Sequence, residues 1–158
     1  ETAERLARQK ARAVADAPPR AYVVGADQTI DVDGTRLKKP GGIQKAVEQL
    51  QRLSGQTHRL TTAVSVVAPD DRIVEQKVIF AMKMRELTDQ EIDAYVHEDR
   101  PTDCAGSYKI ESGGIRLFRS LRGDDYTAII GLPLTRVWNI LEKAGYFTEH
   151  PPANPPSS

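Results

Sequence analysis

Cysteine is almost absent from this sequence, which contains Cys104 alone. One cysteine excludes an intrachain disulfide and a zinc site built on cysteine ligands, so we expect a protein of a reducing, cytoplasmic compartment. Apolar runs of the roughly 18 residues needed to cross a bilayer are also missing. The first residues have neither the basic end nor the apolar stretch of a signal peptide. These absences predict that the protein does not associate with membranes.

Net charge is absent too, because 22 Lys and Arg residues balance 22 Asp and Glu residues. That balance argues against a strongly basic binder of nucleic acid polymers, although it leaves room for a local basic pocket. The chain of 158 residues is 39% hydrophobic, which is enough for the core of one domain of ordinary size. We therefore expect one folded domain without a nucleic acid partner.

Familiar phosphate-binding and hydrolase motifs are missing as well. The sequence contains neither the Gly-x-x-x-x-Gly-Lys-Ser/Thr loop of P-loop proteins nor the Gly-x-Gly-x-x-Gly of dinucleotide-binding folds. Its three histidines lie far apart with no ligand spacing, so we interpret them as ordinary residues, and no Ser-His-Asp set can be assembled. Cys104 has no evident histidine partner, which favours packing as a small apolar residue.

Helical and strand patterns interleave along the chain. They predict helices over 1–16, 43–53, 88–98 and 133–141, and strands over 21–25, 29–32, 58–68, 73–84 and 115–121. Asp33-Gly34 is typical of a tight turn, and Thr88 with Glu91 predicts a capping box at a helix start. We expect an α/β fold, with a mixed twisted sheet flanked by helices, over residues 1–146. The proline-rich residues 147–158 are expected to form a tail.

Asp27 is the first candidate for chemistry. It comes directly after the predicted buried strand 21–25, and the carboxyl edge of an open sheet is where α/β folds bind ligands. A carboxylate at that edge can serve as a general base or as a metal ligand. An aspartate that simply forms a turn fits the same position, so both interpretations stay open.

Lysines supply the next candidates. Lys10 shares the predicted helix face of Leu6 and Val14, so it should point toward the sheet and either extend to the rim or meet an anionic ligand. Lys38 and Lys39 lie in a basic loop directly before a helix start, where backbone N–H groups and ammonium charge favour phosphate. A solvated surface loop would contain the same pair.

A loop over 103–114 is dense in glycine and polar groups. Its glycines allow close backbone approach, while Lys109 and Glu111 offer a cation and an acceptor. Such a loop can contact the edge of a nucleobase, or it can be a long structural turn. Composition and spacing alone therefore indicate an α/β domain with a candidate phosphate pocket.

Six short segments, taken in their order along the chain, form a recognisable pattern: Leu6-Ala7-Arg8-Gln9-Lys10-Ala11, Val24-Gly25-Ala26-Asp27-Gln28, Lys39-Pro40, Leu53-Ser54-Gly55-Gln56-Thr57-His58, Ala105-Gly106-Ser107-Tyr108 and Ile130-Gly131-Leu132-Pro133-Leu134. Together they resemble the Maf family of nucleoside triphosphate pyrophosphatases, from the first helix to about Gly145. The resemblance implies two lobes around a cleft, a Maf/ITPase-like arrangement. It also implies cleavage of the α–β phosphoanhydride of a nucleoside triphosphate, and the family is often dimeric, so a homodimer is expected.

Within this family the sequence is most similar to the branch that acts on 7-methyl-GTP. It has Asp27-Gln28 where the dTTP/UTP branch typically has Asp-Thr, and Glu111 where that branch typically has Gln. The resemblance implies that Asp27 is the proton acceptor and that Gln28 and Glu111 set specificity. A glutamate can accept from N1–H and the amino group of guanine and favours the positive charge of an N7-methylated ring, whereas a glutamine suits uracil or thymine.

The activity that the resemblance implies is hydrolysis of 7-methyl-GTP, or a related modified nucleotide, to the monophosphate and pyrophosphate. A divalent cation, Mg²⁺ or Mn²⁺, is expected near Asp27, which is then also a metal ligand, while Lys10 and Lys39 bind the phosphates. Two alternatives stay open: a dTTP/UTP pyrophosphatase of the same family, and a nucleotide-binding module without catalysis.

Family members begin with a strand and a Ser-x-Ser-x-Arg-Arg loop that contacts the triphosphate. This sequence starts downstream of both features. We expect that it is an incomplete representation of a longer chain rather than a naturally short protein.

Overall fold

The computed structural model describes residues 2–14, 18 and 21–151. In chain order the elements are α1 (Ala3–Arg12), β1 (Val23–Val32), β2 (Thr35–Leu37), α2 (Ile43–Leu53), β3 (Thr57–Val67), β4 (Ile73–Met84), α3 (Asp89–Asp99), β5 (Phe118–Arg122), α4 (Thr127–Ile130), α5 (Leu134–Lys143) and α6 (Tyr146–Glu149). None of the helices formed by these residues is long and apolar enough to cross a membrane.

The strands form one five-stranded sheet in the order β2-β1-β3-β4-β5. Every neighbouring pair in it is antiparallel, so the expected mixture of parallel and antiparallel pairs is not seen in the described part of the chain. Helices flank this sheet, which confirms the predicted α/β class. The main core lies between one face of the sheet and α2 and α3, with fully buried Leu50, Met82 and Tyr95 at its centre.

Two predictions about β1 are wrong. The predicted strands 21–25 and 29–32 are one strand, because backbone pairing with β3 is continuous from 23 to 31. Asp27 therefore lies inside a strand, opposite Ala63, and not beyond a strand end. The rule about carboxyl edges applies to parallel sheets, and β1 has only antiparallel neighbours here.

α1 turns a different face to the sheet than the predicted one. Ala3, Ala7 and Ala11 are its buried residues, whereas Val14 beyond its end is 52% exposed. The reason is close approach, because a Cβ at Gly25 of β1 would lie 2.2 Å from the Ala7 carbonyl oxygen. Only small side chains fit at that distance. α1 ends at Arg12, and the predicted continuation to residue 16 lies partly outside the described residues.

Several predicted elements are confirmed where local signals are strong. α2 spans the predicted 43–53, and β3 and β4 form the predicted long hairpin. Asp33 and Gly34 both have positive φ, 47° and 72°, as a two-residue hairpin turn requires. At the start of α3, the Thr88 hydroxyl accepts from the Glu91 amide and the Glu91 carboxylate accepts from the Thr88 amide, which is a capping box.

The C-terminal third departs more from the predictions. The strand predicted over 115–121 begins only at Phe118, because Gly114–Leu117 forms a 3₁₀ turn. The last long helix, α5, continues to Lys143, and α6 occupies the first residues of the predicted tail. Residues 152–158 of that tail lie outside the described residues, so the domain boundary at 146 stays a prediction.

Candidate functional site

One cavity brings all five predicted site residues together. It has a volume of about 370 Å³ and is lined by residues from α1, β1, β3, the loop before α2, the 103–111 segment and the α4 region. Lys10, Asp27, Gln28, Lys39 and Glu111 all contribute to its wall. Residues that are far apart in the sequence, such as Lys10 and Glu111, therefore share one site.

Lys10 and Asp27 form the charged centre of this cavity. The Lys10 ammonium lies 2.5 Å from Asp27 Oδ1 and donates a second hydrogen bond, 3.2 Å long, to the Ala26 carbonyl. The Asp27 side chain is 15% exposed and that of Lys10 is 59% exposed. The contact exists because α1 packs closely on Gly25, two residues before Asp27. The anionic group that Lys10 meets in the structure is thus a carboxylate of the protein itself.

Gln28 is held against α4 on the other face of the sheet. Its Nε2 lies 2.7 Å from the Ala128 carbonyl, 3.0 Å from the Ile129 carbonyl and 3.1 Å from the Thr62 hydroxyl. Carbonyls only accept hydrogen bonds, so the amide nitrogen must face them. The hydrogen bonds of Gln28 therefore connect β1 to the part of the cavity wall that contains Ile129.

The cavity wraps around the edge of β1. Successive side chains of a strand point to opposite faces, so Asp27 faces α1 and Gln28 faces α4, yet both line the same space. Among the described residues, β2 pairs with β1 only over 30–32, whereas β3 pairs over 23–31. The stretch that contains Asp27 and Gln28 is thus accessible from both faces at this edge.

Lys39 and Glu111 stand on two loops that meet at the mouth of the cavity. Both residues are exposed. The Gly41 amide donates to the Thr102 carbonyl at 2.9 Å, which joins the loop of Lys39 to the chain that leads to Glu111. A cation and an anion therefore lie at different points of one rim.

An apolar wall was not predicted from the sequence. Ile30, Leu60, Tyr108, Ile110 and Ile129 line the cavity, and a flat aromatic or aliphatic surface of this kind suits a planar ring. Tyr108 belonged to a recognised segment, but neither periodicity nor spacing indicated that it faces a cavity. The other four come from separate elements that only the fold brings together.

His58 supports this wall from behind. It is 2% exposed, and its Nε2 lies 3.0 Å from the Tyr108 hydroxyl. Desolvation by burial lowers the pKa of His58 to about 4, so the ring is neutral at pH 7. Burial also raises the pKa of the Tyr108 hydroxyl. The interpretation of His58 as an ordinary residue was incomplete, because it supports a residue that lines the cavity.

The carboxylates of the cavity fit a magnesium ion that is held mainly by its substrate. No group of three or more His, Cys, Asp or Glu residues within the described part of the chain could hold a metal. Mg²⁺ usually takes one or two protein carboxylates and completes its shell with phosphate oxygens and water. Asp27 can supply one such oxygen. Cys104 is no obvious ligand, because desolvation and the neighbouring Asp103 raise the pKa of its thiol.

One cavity of this α/β fold thus combines two lysines, carboxylates and an apolar wall, groups of the kind that suit a phosphorylated ligand with a ring. Comparison with known families makes this specific: the family described as Maf-like protein matches residues 1–144. The chain belongs to the Maf family, as the ordered segments of the sequence predicted.

Named relatives align with most of this chain. The 7-methyl-GTP pyrophosphatase of Xanthomonas campestris pv. campestris strain 8004 is 44% identical over 144 residues, which are 91% of this chain and 75% of the relative. The protein of the same name from Polaromonas sp. strain JS666 is 48% identical over 145 residues, 90% of this chain and 66% of that one. A third protein of that name, from Aromatoleum aromaticum, is 47% identical over 146 residues, which are 92% of this chain and 75% of the relative.

Proposed function

We propose that this protein is a nucleoside triphosphate pyrophosphatase that hydrolyses the α–β phosphoanhydride of 7-methyl-GTP or a related modified nucleotide. The products are the nucleoside monophosphate and pyrophosphate. The observation that carries the proposal is the shared cavity of Asp27, Lys10 and Glu111. The names of the relatives support the same substrate.

Asp27 is the proton acceptor in this proposal. Its carboxylate is mostly shielded from solvent and faces the cavity beside the Lys10 ammonium. A water that attacks phosphorus forms the new P–O bond and gives its proton to Asp27, while the anhydride bond breaks and its electron pair leaves with the phosphate oxygen. No covalent intermediate with the protein is required, because the nucleophile is water.

Lys10 and Lys39 bind the phosphates. Lys10 lies at the charged centre and Lys39 at the mouth, so the two ammonium groups can offset charge at separate phosphates of one chain. A divalent cation, Mg²⁺ or Mn²⁺, would be held by Asp27 and would supply charge neutralisation at the phosphate oxygens. Both effects favour the transition state, in which charge on the phosphate oxygens is redistributed.

Glu111 and Gln28 select the base. The Glu111 carboxylate accepts hydrogen bonds only, which matches N1–H and the amino group of guanine, and its negative charge favours a ring made cationic by N7 methylation. Gln28 acts on the other side of the cavity, where it holds Ala128 and Ile129 in place. The apolar wall that includes Tyr108 and Ile110 belongs to the same cavity and suits the planar base.

Pyrophosphate release from 7-methyl-GTP, GTP, UTP and dTTP, each with Mg²⁺ and with Mn²⁺, tests the proposal. The protein should first be characterised by intact mass, so that its length is known. Fastest release from 7-methyl-GTP is the expected result. A preference for UTP and dTTP would instead assign the other branch of the family, and tight nucleotide binding without release would indicate a binding module.

A homodimer and a cytoplasmic location stay predictions. The mass of the protein in solution, measured by light scattering during gel filtration, tests the first. Fractionation of cells that produce the full-length protein tests the second. Neither result bears on the hydrolysis experiment.

A further inference from the structure

The segment that carries Glu111 is anchored to α3 by a residue outside the cavity. Asp99, the last residue of α3, accepts a hydrogen bond from the Ser112 hydroxyl at Oδ1 and another from the Gly113 amide at Oδ2, both 2.9 Å long. These two donors follow Glu111 directly in the chain. One carboxylate thus holds the chain on the C-terminal side of Glu111.

A second anchor holds the chain on the N-terminal side. The Lys109 amide donates to the hydroxyl of Tyr95, 2.9 Å away, and Tyr95 is 1% exposed on α3. The Gly114 amide closes the turn by donating to the Lys109 carbonyl at 2.8 Å. A Cβ at Gly114 would lie 2.4 Å from that carbonyl oxygen, so the turn is tight. Glu111 is therefore an exposed residue on a turn fixed at both ends.

We propose that Asp99 is a positioning residue for Glu111, and through it for recognition of the guanine ring, without contacting the substrate. The inference rests on the proposed function, because it assigns to Glu111 the contact with the base. An exposed glutamate has many rotamers and loses entropy when it binds, and a mobile backbone would add to that loss. A backbone held at Lys109, Ser112 and Gly113 limits the loss to the side chain itself.

The Asp99 bonds are strong enough for this role. Desolvation on its own would raise the pKa of Asp99, but the bonds from Ser112, Gly113 and Tyr95 and the charge of Arg116 hold that pKa below its ordinary value. The carboxylate is therefore ionised at neutral pH, and hydrogen bonds to an ionised acceptor are about twice as strong as neutral ones. Asparagine in its place keeps one acceptor oxygen but turns an NH₂ group toward a donor.

Asp99→Asn tests the inference, with Asp93→Asn as a matched control on an exposed part of the same helix. We expect the KM for 7-methyl-GTP to rise about tenfold in Asp99→Asn, with kcat within about twofold of the unchanged protein. Inorganic tripolyphosphate, which has no base, should inhibit both variants with the Ki of the unchanged protein. Asp93→Asn should leave all three constants unchanged.

A merely structural role would give a different pattern. If Asp99→Asn loosens the whole site, the tripolyphosphate Ki rises together with the KM, and the inference is wrong. If the KM does not change, Asp99 does not act on the base. The effect must also depend on Glu111: in a Glu111→Gln background, the added Asp99→Asn change should leave the KM unaltered, and a full tenfold further rise would overturn the link.

Hydrogen exchange separates this inference from the proposed function. In the protein without nucleotide, Asp99→Asn should speed exchange of the Gly113 amide, and Asp93→Asn should not. If 7-methyl-GTP is no substrate of the unchanged protein, the proposed function fails and the guanine assignment with it, whatever the exchange result. If 7-methyl-GTP is a substrate but exchange at Gly113 is unchanged in Asp99→Asn, the positioning role alone is wrong.

Discussion

Lys10 Nζ and Asp27 Oδ1 lie 2.5 Å apart across the junction of α1 and β1. This pair depends on the absence of a side chain at Gly25, which lets the alanine face of α1 approach the strand. The pair places a cation and a carboxylate at one point of the cavity wall. The chemistry proposed for the site therefore rests on a packing detail two residues away.

Asp27→Asn should abolish turnover while nucleotide binding is kept. The change removes the proposed proton acceptor but preserves the shape of the side chain. General-base contributions are typically 10²–10⁴-fold, so kcat should fall by at least about 100-fold. Pyrophosphate release measures the rate and calorimetric titration measures binding. Asp31→Asn is the control, since Asp31 lies in the same strand but pairs with Arg36 away from the cavity. A rate near that of the unchanged protein would refute the role of Asp27.

Lys39→Ala should weaken binding of the triphosphate. The loss of one ammonium contact to phosphate predicts a rise in KM of about tenfold and slower turnover. The neighbouring Lys38→Ala is the control, because Lys38 does not line the cavity. Saturation curves for 7-methyl-GTP at low and moderate salt provide the measurement. Equal effects of the two substitutions would show that only general surface charge matters.

Glu111→Gln combined with Gln28→Thr should shift the preference toward UTP and dTTP. The first change introduces an NH₂ donor at the rim, and the second removes the amide that holds the Ala128 and Ile129 carbonyls. We expect the ratio of kcat/KM for 7-methyl-GTP to that for UTP to fall by at least about tenfold. The two single variants show how much each position contributes. An unchanged ratio in the double variant would contradict both assignments.

Asp125→Asn should destabilise the fold by about 2–3 kcal/mol, as expected when a buried carboxylate loses hydrogen bonds. Asp125 accepts from the amide and hydroxyl of both Thr127 and Thr135, and so joins the starts of α4 and α5. Urea unfolding at pH 7 measures the free energy. Asp124→Asn, at an exposed residue paired with Arg136, is the control and should cost less than about 1 kcal/mol.

The difference in unfolding free energy between the unchanged protein and Asp125→Asn should decrease as the pH falls. Desolvation alone would raise the pKa of Asp125, but bonds from Thr127 and Thr135 leave it below the ordinary value of 3.8. Its stabilisation is therefore complete above pH 3.8 and is lost as the pH falls through the lower folded-state value. The unfolding free energies of the unchanged protein and Asp125→Asn should converge at low pH.

As the pH is lowered from 6.5 to 4, His58 should cause the free energy of unfolding to decrease. The ordinary pKa of 6.5 is lowered to about 4 in the folded protein, so in this window the unfolded chain binds the extra proton. Stability therefore rises with pH, by about 3 kcal/mol in total from this group. His58→Phe should remove that slope, while Tyr108→Phe, which keeps the histidine, should retain it. An identical slope in His58→Phe would show that other groups cause the loss.

The elements that could be predicted from the sequence are those with a local signal. The Thr88 and Glu91 capping box, the Asp33-Gly34 turn and the long β3–β4 hairpin each depend on residues close together in the chain. The five residues selected from the ordered segments and the loop lie around one cavity, while the roles assigned to them stay predictions.

The predictions that were wrong share one cause, which is packing between residues far apart in the chain. β1 is continuous because β3 pairs with it through Asp27 and Gln28, two residues of little strand propensity. The face of α1 was mispredicted because alanine and glycine, which score weakly as apolar, allow the closest packing. Tyr108 and His58 reach the site through a contact between residues 50 positions apart, which no local pattern reveals.

The attachment of Asp27 to one helix and of Gln28 to another has an evolutionary consequence. Their peptide neighbours are shared, but their side chains rest on α1 and α4, on opposite faces of the sheet. A mutation at position 28 can reshape the wall proposed to contact the base and leave the ion pair at position 27 intact. Substrate preference can thus change through position 28 while position 27, the proposed proton acceptor, stays the same.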